Sequence, residues 1–142
     1  MLNRTYAEKL KQAANSKKIV ILLGARQVGK TYILREFGEV YYKNVVYVNL
    51  ETNTSVASYF DGDISPERLI RYLEVYAGEE IIPESTLIIF DEIQSCERAL
   101  TALKYFCEET PEYHIAAAGS LLGVAIHRER YSFPAGKVDT IT

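Results

Sequence analysis

The sequence predicts an α/β fold: a mainly parallel five-stranded sheet with helices on both faces, three layers in all. Three observations carry that expectation. Short apolar runs such as KIVILL (Lys18–Leu23) and LIIF (Leu87–Phe90) show no polar alternation, so they read as strands buried on both faces. Stretches with helix-type starts and stops lie between them. The two kinds alternate along the chain, as parallel strands joined by helical crossovers require.

Taken in order, LNRTYAEKLKQAAN has helical composition and KIVILLG is a first strand. GKTYILREF reads as a helix ending at Gly38, whose freedom to adopt positive φ suits a C-cap. NVVYVNLE is a second strand. SPERLIRYLEVYAG carries Ser65 as N-cap, Pro66 at the first helical position, Glu67 in the first turn and Gly78 past the end. STLIIFDE is a third strand, CERALTALKYFCEE a helix stopped before Pro111, EYHIAAAGS a fourth strand and GKVDTIT a fifth. There is no repeat, low-complexity tract or internal linker.

Composition narrows the class. A chain of 142 residues is the size of one domain, with 48% hydrophobic and 25% charged residues, ordinary for a soluble globular protein. No apolar run approaches the roughly 18 residues of a membrane span, and the polar, amphipathic start is no secretory signal. Cys96 and Cys107, eleven residues apart, form no metal-ligand pair and read as free thiols packed on a helix, which fits a reducing, cytoplasmic setting. The net charge of −3 is uneven: the first 30 residues hold seven basic residues and one acid, and the remainder nine basic and 18 acidic. A basic segment suits an anionic ligand, although a solvated first helix accounts for most of it equally well. The acidic remainder argues against a broad nucleic-acid surface.

The first strand leads into GARQVGKT (Gly24–Thr31), which matches the phosphate-loop pattern G-x-x-x-x-G-K-[ST]. Each fixed residue has a physical task. Gly24 permits the sharp turn, and Gly29 lets backbone N–H groups approach phosphate oxygens without a Cβ clash. The following helix points its positive end at the anion. Lys30 reaches the β- and γ-phosphates and the Thr31 hydroxyl ligates Mg²⁺. Average residue usage yields such a match in a chain this long roughly 0.5% of the time, and a structural glycine turn leaves Lys30 and Thr31 unexplained. The expected phosphate-binding segment is therefore Gly24, Ala25, Arg26, Gln27, Val28, Gly29, Lys30, Thr31 and Tyr32.

LIIFDEIQ (Leu87–Gln94) supplies the acid of a Walker B strand. Asp91 is expected to hold Mg²⁺ with Thr31, usually through the metal's water shell. A carboxylate at Glu92 can orient, or take a proton from, the water attacking the γ-phosphate. The competing reading is a solvated acidic strand end. A whole strand–helix unit, from Asn44 to about Gly78, separates the two motifs, which together with Glu92 marks the phosphate-loop class with an additional strand and a catalytic glutamate. The guanine-reading N-K-x-D pattern is missing, since GKVD (Gly136–Asp139) has glycine where the Asn amide is required. ATP is thus the expected nucleotide.

Ser120, after IAAAGS, has two readings: a polar residue near the γ-phosphate, as in the first sensor of AAA-type ATPases, or the N-cap of a helix over LLGVAIHRE. One hydroxyl can do both. Arg128 and Arg130 read as a solvated loop or an arginine finger toward a neighbouring subunit. Arg26 has a choice between phosphate and Glu51. His114 and His127 lie in no ligand-like cluster. The eleven tyrosines read as packing in the core and at sheet edges, with base stacking by EVYYKNVVY as the weaker option.

LLGARQVGKTYILREF, FDEIQ and AAGSLLGVAI…SFPAGKVD together resemble the predicted AAA-type ATPases of bacteria and archaea that carry a C-terminal domain of unknown function. The resemblance runs from about Lys18 to Asp139. It implies a three-layer α/β/α P-loop NTPase sandwich, with ATP and Mg²⁺ at Gly24–Thr31 and Asp91, Glu92 catalytic and Ser120 as sensor. It also implies that residues 1–142 are the ATPase core, with the helical lid, the second-sensor arginine and the second domain beyond Thr142. Two functions follow as expectations. One is an ATP-hydrolysing motor core, alone or in a homo-oligomer; the other is a slow nucleotide-dependent switch acting on a partner domain. A small-molecule phosphotransferase would need an arginine-rich closing lid, and NTSVASYFDGDIS has none.

Overall fold

The apolar run after Lys18 forms strand β1 (Ile19–Leu22), and helix α1 (Val28–Tyr41) begins within the glycine–lysine motif. Then come β2 (Asn44–Asn49), the short helix α2 (Thr54–Ala57) with a 3-10 turn at Ser58–Phe60, and α3 (Pro66–Ala77). These are followed by β3 (Thr86–Asp91), a 3-10 turn at Ile93–Ser95, α4 (Glu97–Glu109), β4 (His114–Ala118) and β5 (Val138–Ile141). The computed structural model describes residues 19–22, 28–119 and 138–141, with side chains over residues 31–119. The expected first helix, LNRTYAEKLKQAAN, lies outside the described residues.

The described strands form a sheet in the order β2-β3-β4-β1-β5, with every pair parallel. Side chains alternate along β2, β3 and β4 and divide the described core in two. Ile88 and Phe90 of β3, Val46 and Val48 of β2, and Ile115 and Ala117 of β4 pack with Leu69 and Leu73 of α3 and with Leu100, Leu103 and Phe106 of α4. On the other face, Leu87, Ile89, Ala116 and Ala118 pack against Leu34 and Phe37 of α1. Helices thus cover both faces of an α/β sheet.

Local signals account for the helix ends. In α3, Ser65 is the N-cap, Pro66 opens the helix and Gly78 closes it in the left-handed conformation (φ 71°). Cys96 stands at the N-cap of α4 rather than within a helix, and Cys107 is buried in α4; both thiols are free. The expected C-cap at Gly38 is corrected: α1 continues through it to Tyr41. A Cβ at Gly38 would come within 2.5 Å of Val45 Cγ2 and 3.0 Å of Leu87 Cδ2. The glycine lets α1 lie close against β2 and β3, and packing overrides the capping preference.

The segment between β2 and α3 is tied down from both helices. Arg98 donates to the carbonyls of Phe60 and Gly62 at 2.9 and 2.6 Å, and Arg68 donates to those of Tyr59 and Asp63. Buried Thr86 is satisfied at the start of β3, accepting from the Ile82 N–H and donating to Asn44 Oδ1.

Candidate functional site

Because the described strands are all parallel, their carboxyl ends meet along one edge of the sheet, where open α/β sheets bind ligands. The register pairs Asn49 with Asp91, Phe90 with Ala117, and Leu22 with both Ala118 and Ile141. One transverse row therefore runs Asn49, Asp91, Ala118, Leu22, Ile141. The next residue along the chain is Glu92 after Asp91 and Gly119 after Ala118, and the phosphate-loop segment starts two residues after Leu22 in the sequence.

Two sequence motifs converge on this edge. The Thr31 hydroxyl, in the first turns of α1, donates to Asp91 Oδ2 at 2.8 Å although the two residues are 60 apart in sequence and β4 lies between β1 and β3. The Tyr47 hydroxyl donates to the same oxygen at 2.5 Å, and the Glu92 N–H donates to Asp91 Oδ1 at 2.9 Å. Asp91 is only 7% exposed, so these bonds offset the cost of taking its charge out of water. Burial first, then the hydrogen bond to Asp91 and that residue's charge, push the Tyr47 phenol well above its ordinary pKa. At neutral pH it keeps its proton and acts as a donor.

Glu92 is 5% exposed and has a left-handed backbone (φ 52°, ψ 43°). Its carboxylate accepts from Gln94 Nε2 at 3.2 Å. Gly119 lies beside this pair: a Cβ there would overlap the Gln94 side-chain oxygen and sit 3.3 Å from the Ile93 nitrogen. Glycine at this position lets the end of β4 come against the turn that carries Glu92.

The donor set fits a magnesium ion. A hydroxyl and a carboxylate are hard oxygen ligands, the type Mg²⁺ takes in ones or twos while keeping waters and substrate phosphates. Among the described residues no group of three or more His, Cys, Asp or Glu could hold a metal by protein ligands alone.

The remaining expected site residues are placed unevenly. Val28, Gly29 and Lys30 form the first turn of α1, and the side chain of Tyr32 is 54% exposed. Gly24, Ala25, Arg26, Gln27, Ser120, His127, Arg128 and Arg130 lie outside the described residues. His114 is at the start of β4, at the opposite end of the sheet from Asp91, and its Nδ1 is 2.6 Å from the Tyr42 hydroxyl. Sequence reasoning missed Tyr47, Gln94 and Gly119. Tyr47 read as packing because an aromatic residue in a strand normally is; only its parity with Val45 put it on the α1 side.

Residues 16–142 match the family model described as an AAA domain. No curated protein matches the chain. Solved structures share its fold at low identity. A Walker-type ATPase of Pyrococcus abyssi aligns at 16% identity and a TM-score of 0.54, over 99% of this chain and 54% of that one. A chain from the structure of Drosophila ORC bound to AT-rich DNA and Cdc6 aligns at 18% and 0.56, over 96% and 52%. C. elegans PCH-2 aligns at 12% and 0.54, over 99% and 42%. The chain spans about half the length of the first two. Among the described residues no helix is long and apolar enough to cross a membrane.

Proposed function

The chain belongs to the AAA domain family, and from that premise we propose that it binds ATP with Mg²⁺ and forms the hydrolysing core of an AAA-type ATPase. The observation that carries the reading is the bond from Thr31 to Asp91. A residue defined by the glycine–lysine spacing and an acid defined by a strand end meet across an intervening strand. Unrelated motifs have no reason to do so.

In this reading Gly24–Tyr32 cradle the phosphates, with Lys30 on the β- and γ-phosphates and the first turn of α1 offering N–H groups to the anion. Thr31 and Asp91 hold Mg²⁺, which when bound neutralises charge on the phosphates. Glu92 orients the attacking water and takes its proton as the oxygen joins the γ-phosphorus and the bond to the β-phosphate oxygen breaks, leaving ADP and phosphate. Ser120 acts as the polar sensor near the γ-phosphate. A slow nucleotide-dependent switch is the second reading; it draws on the bond from Gln94, which engages one of the two Glu92 oxygens.

The proposed partners are ATP, a second copy of the chain and a C-terminal partner domain. Drosophila ORC is bound to DNA in its structure. This chain's net charge of −3 offers no electrostatic reason to transfer that property.

Thermal unfolding with and without Mg-ATP tests the binding. A ligand at about 100 times its dissociation constant stabilises by roughly 2.7 kcal/mol. Lys30→Ala is expected to abolish that shift and leave the unliganded melting temperature nearly unchanged. An undiminished shift in the variant removes the phosphate cradle from the assignment.

A further inference from the structure

We infer that Tyr47 is a positioning residue for the Mg²⁺ site: with Thr31 it saturates one oxygen of Asp91, so that Asp91 meets the metal's water shell through the other. The inference rests on the proposed function and deepens it.

Counting acceptor sites leads there. A carboxylate oxygen has about two lone-pair sites. Oδ2 of Asp91 receives two hydroxyl hydrogens, from Thr31 at 2.8 Å and Tyr47 at 2.5 Å. Oδ1 receives one, from the Glu92 N–H at 2.9 Å. Among the described residues, one acceptor site on Oδ1 is left. The Thr31 hydroxyl spends its hydrogen on Asp91 and keeps its lone pairs, the part a cation uses. One lone pair of Thr31 and one acceptor site of Oδ1 would then be left for a bound metal, the second through a water of its shell.

Tyr47 is itself held. It stands on β2 level with Ile89, two residues before the Asn49–Asp91 pair, which brings a long side chain diagonally to Asp91. The Arg35 guanidinium lies over its ring, 4.7 Å from the centroid. Arg35 is one helical turn beyond Thr31, so α1 touches the site twice: directly on Asp91 and indirectly through Tyr47. For packing alone phenylalanine would serve; the phenol adds a donor aimed at a buried carboxylate.

Tyr47→Phe keeps the ring and removes only that donor. Binding of a fluorescent ATP analogue is measured on wild type, Tyr47→Phe, Asp91→Ala and the double variant, across a Mg²⁺ series that includes a point in EDTA. Loss of a group that orients a metal ligand typically weakens metal affinity about 10–100-fold. The half-saturating Mg²⁺ concentration in Tyr47→Phe is expected to rise by that factor. Nucleotide affinity in EDTA should stay at its wild-type value, while the unliganded melting temperature falls only by the few degrees that one hydrogen bond to a buried carboxylate is worth, so the variant stays folded at the assay temperature. In the Asp91→Ala background Tyr47→Phe should add nothing further. An unchanged Mg²⁺ dependence overturns the inference. So does an equal loss in EDTA, a melting-temperature drop that accounts for the loss, or an additive effect in the double variant. A wild-type chain that binds no Mg-ATP overturns the proposed function, and this inference with it.

Discussion

On the face of the sheet covered by α3 and α4, β3 contributes Ile88 and Phe90; on the face covered by α1 it contributes Leu87, Ile89 and Asp91. The first face is sealed. Its apolar cluster takes in β2, β3, β4, two long helices and the turn at Phe60, whose ring meets Phe90 edge to face at 5.8 Å. The second face has a smaller cluster that gives way, at the carboxyl end of the strands, to Thr31, Tyr47 and Asp91. A charge can be buried there because hydroxyls from α1 and β2 reach it; nothing comparable exists among Phe60, Phe90 and Phe106. The difference teaches how one strand serves two environments: parity sends Ile88 and Phe90 to the larger apolar core and Asp91 to the face where hydroxyls can reach it.

Glu92 marks the boundary. Continued alternation would send it to the sealed face, against apolar neighbours. Instead its backbone turns left-handed, a conformation that costs a non-glycine residue on the order of 1–3 kcal/mol. Strain of this kind at a buried acid supports a role for the carboxylate where it stands.

The largest test of the contrast is Glu92→Gln, which keeps the size and removes the charge. A general base contributes about 10²–10⁴-fold in rate. Phosphate release in steady state should fall by at least about 100-fold. Mg-ATP binding should be retained or improved, because a negative charge near the triphosphate is gone. Robust hydrolysis by the variant would reduce Glu92 to a strand-end acid.

Phe106→Ala probes the sealed face. Phe106 is 1% exposed, and truncating such a ring costs about 3–5 kcal/mol. Denaturant unfolding should show that loss, while nucleotide affinity of the protein that remains folded stays at the wild-type value. Weakened affinity without lost stability would mean that the two faces are coupled.

The smallest effect is expected at the far end of the α1 face. Burial pushes the Tyr42 phenol up to about 12. In the unfolded chain it ionises near pH 10, so the stability gained by keeping it neutral is intact below about pH 10 and disappears as the pH rises through about 12. Unfolding free energies measured across that interval should fall more steeply for wild type than for Tyr42→Phe. Equal slopes would show that Tyr42 titrates alike in both states.

Much of this was legible locally. The Ser65–Pro66 start, the Gly78 stop and the doubly buried strand β3 are codes written over a few residues. They work because φ/ψ preferences and the periods of helix and strand are properties of the local backbone. Gly38 was misread for the same reason: the residue signals conformational freedom, while its use depends on Val45 and Leu87 across the layer.

What only the tertiary structure decided was which distant residues meet. Nothing in LIIFDE or NVVYVN states that β4 lies between β1 and β3, or that β2 pairs with β3 in the register that sets Tyr47 two residues behind Asp91. A tyrosine hydroxyl aimed at a carboxylate 44 positions away is fixed by strand order, register and the seat of α1 together. Those are set by the whole core finding its best packing, and no window of the chain contains that information.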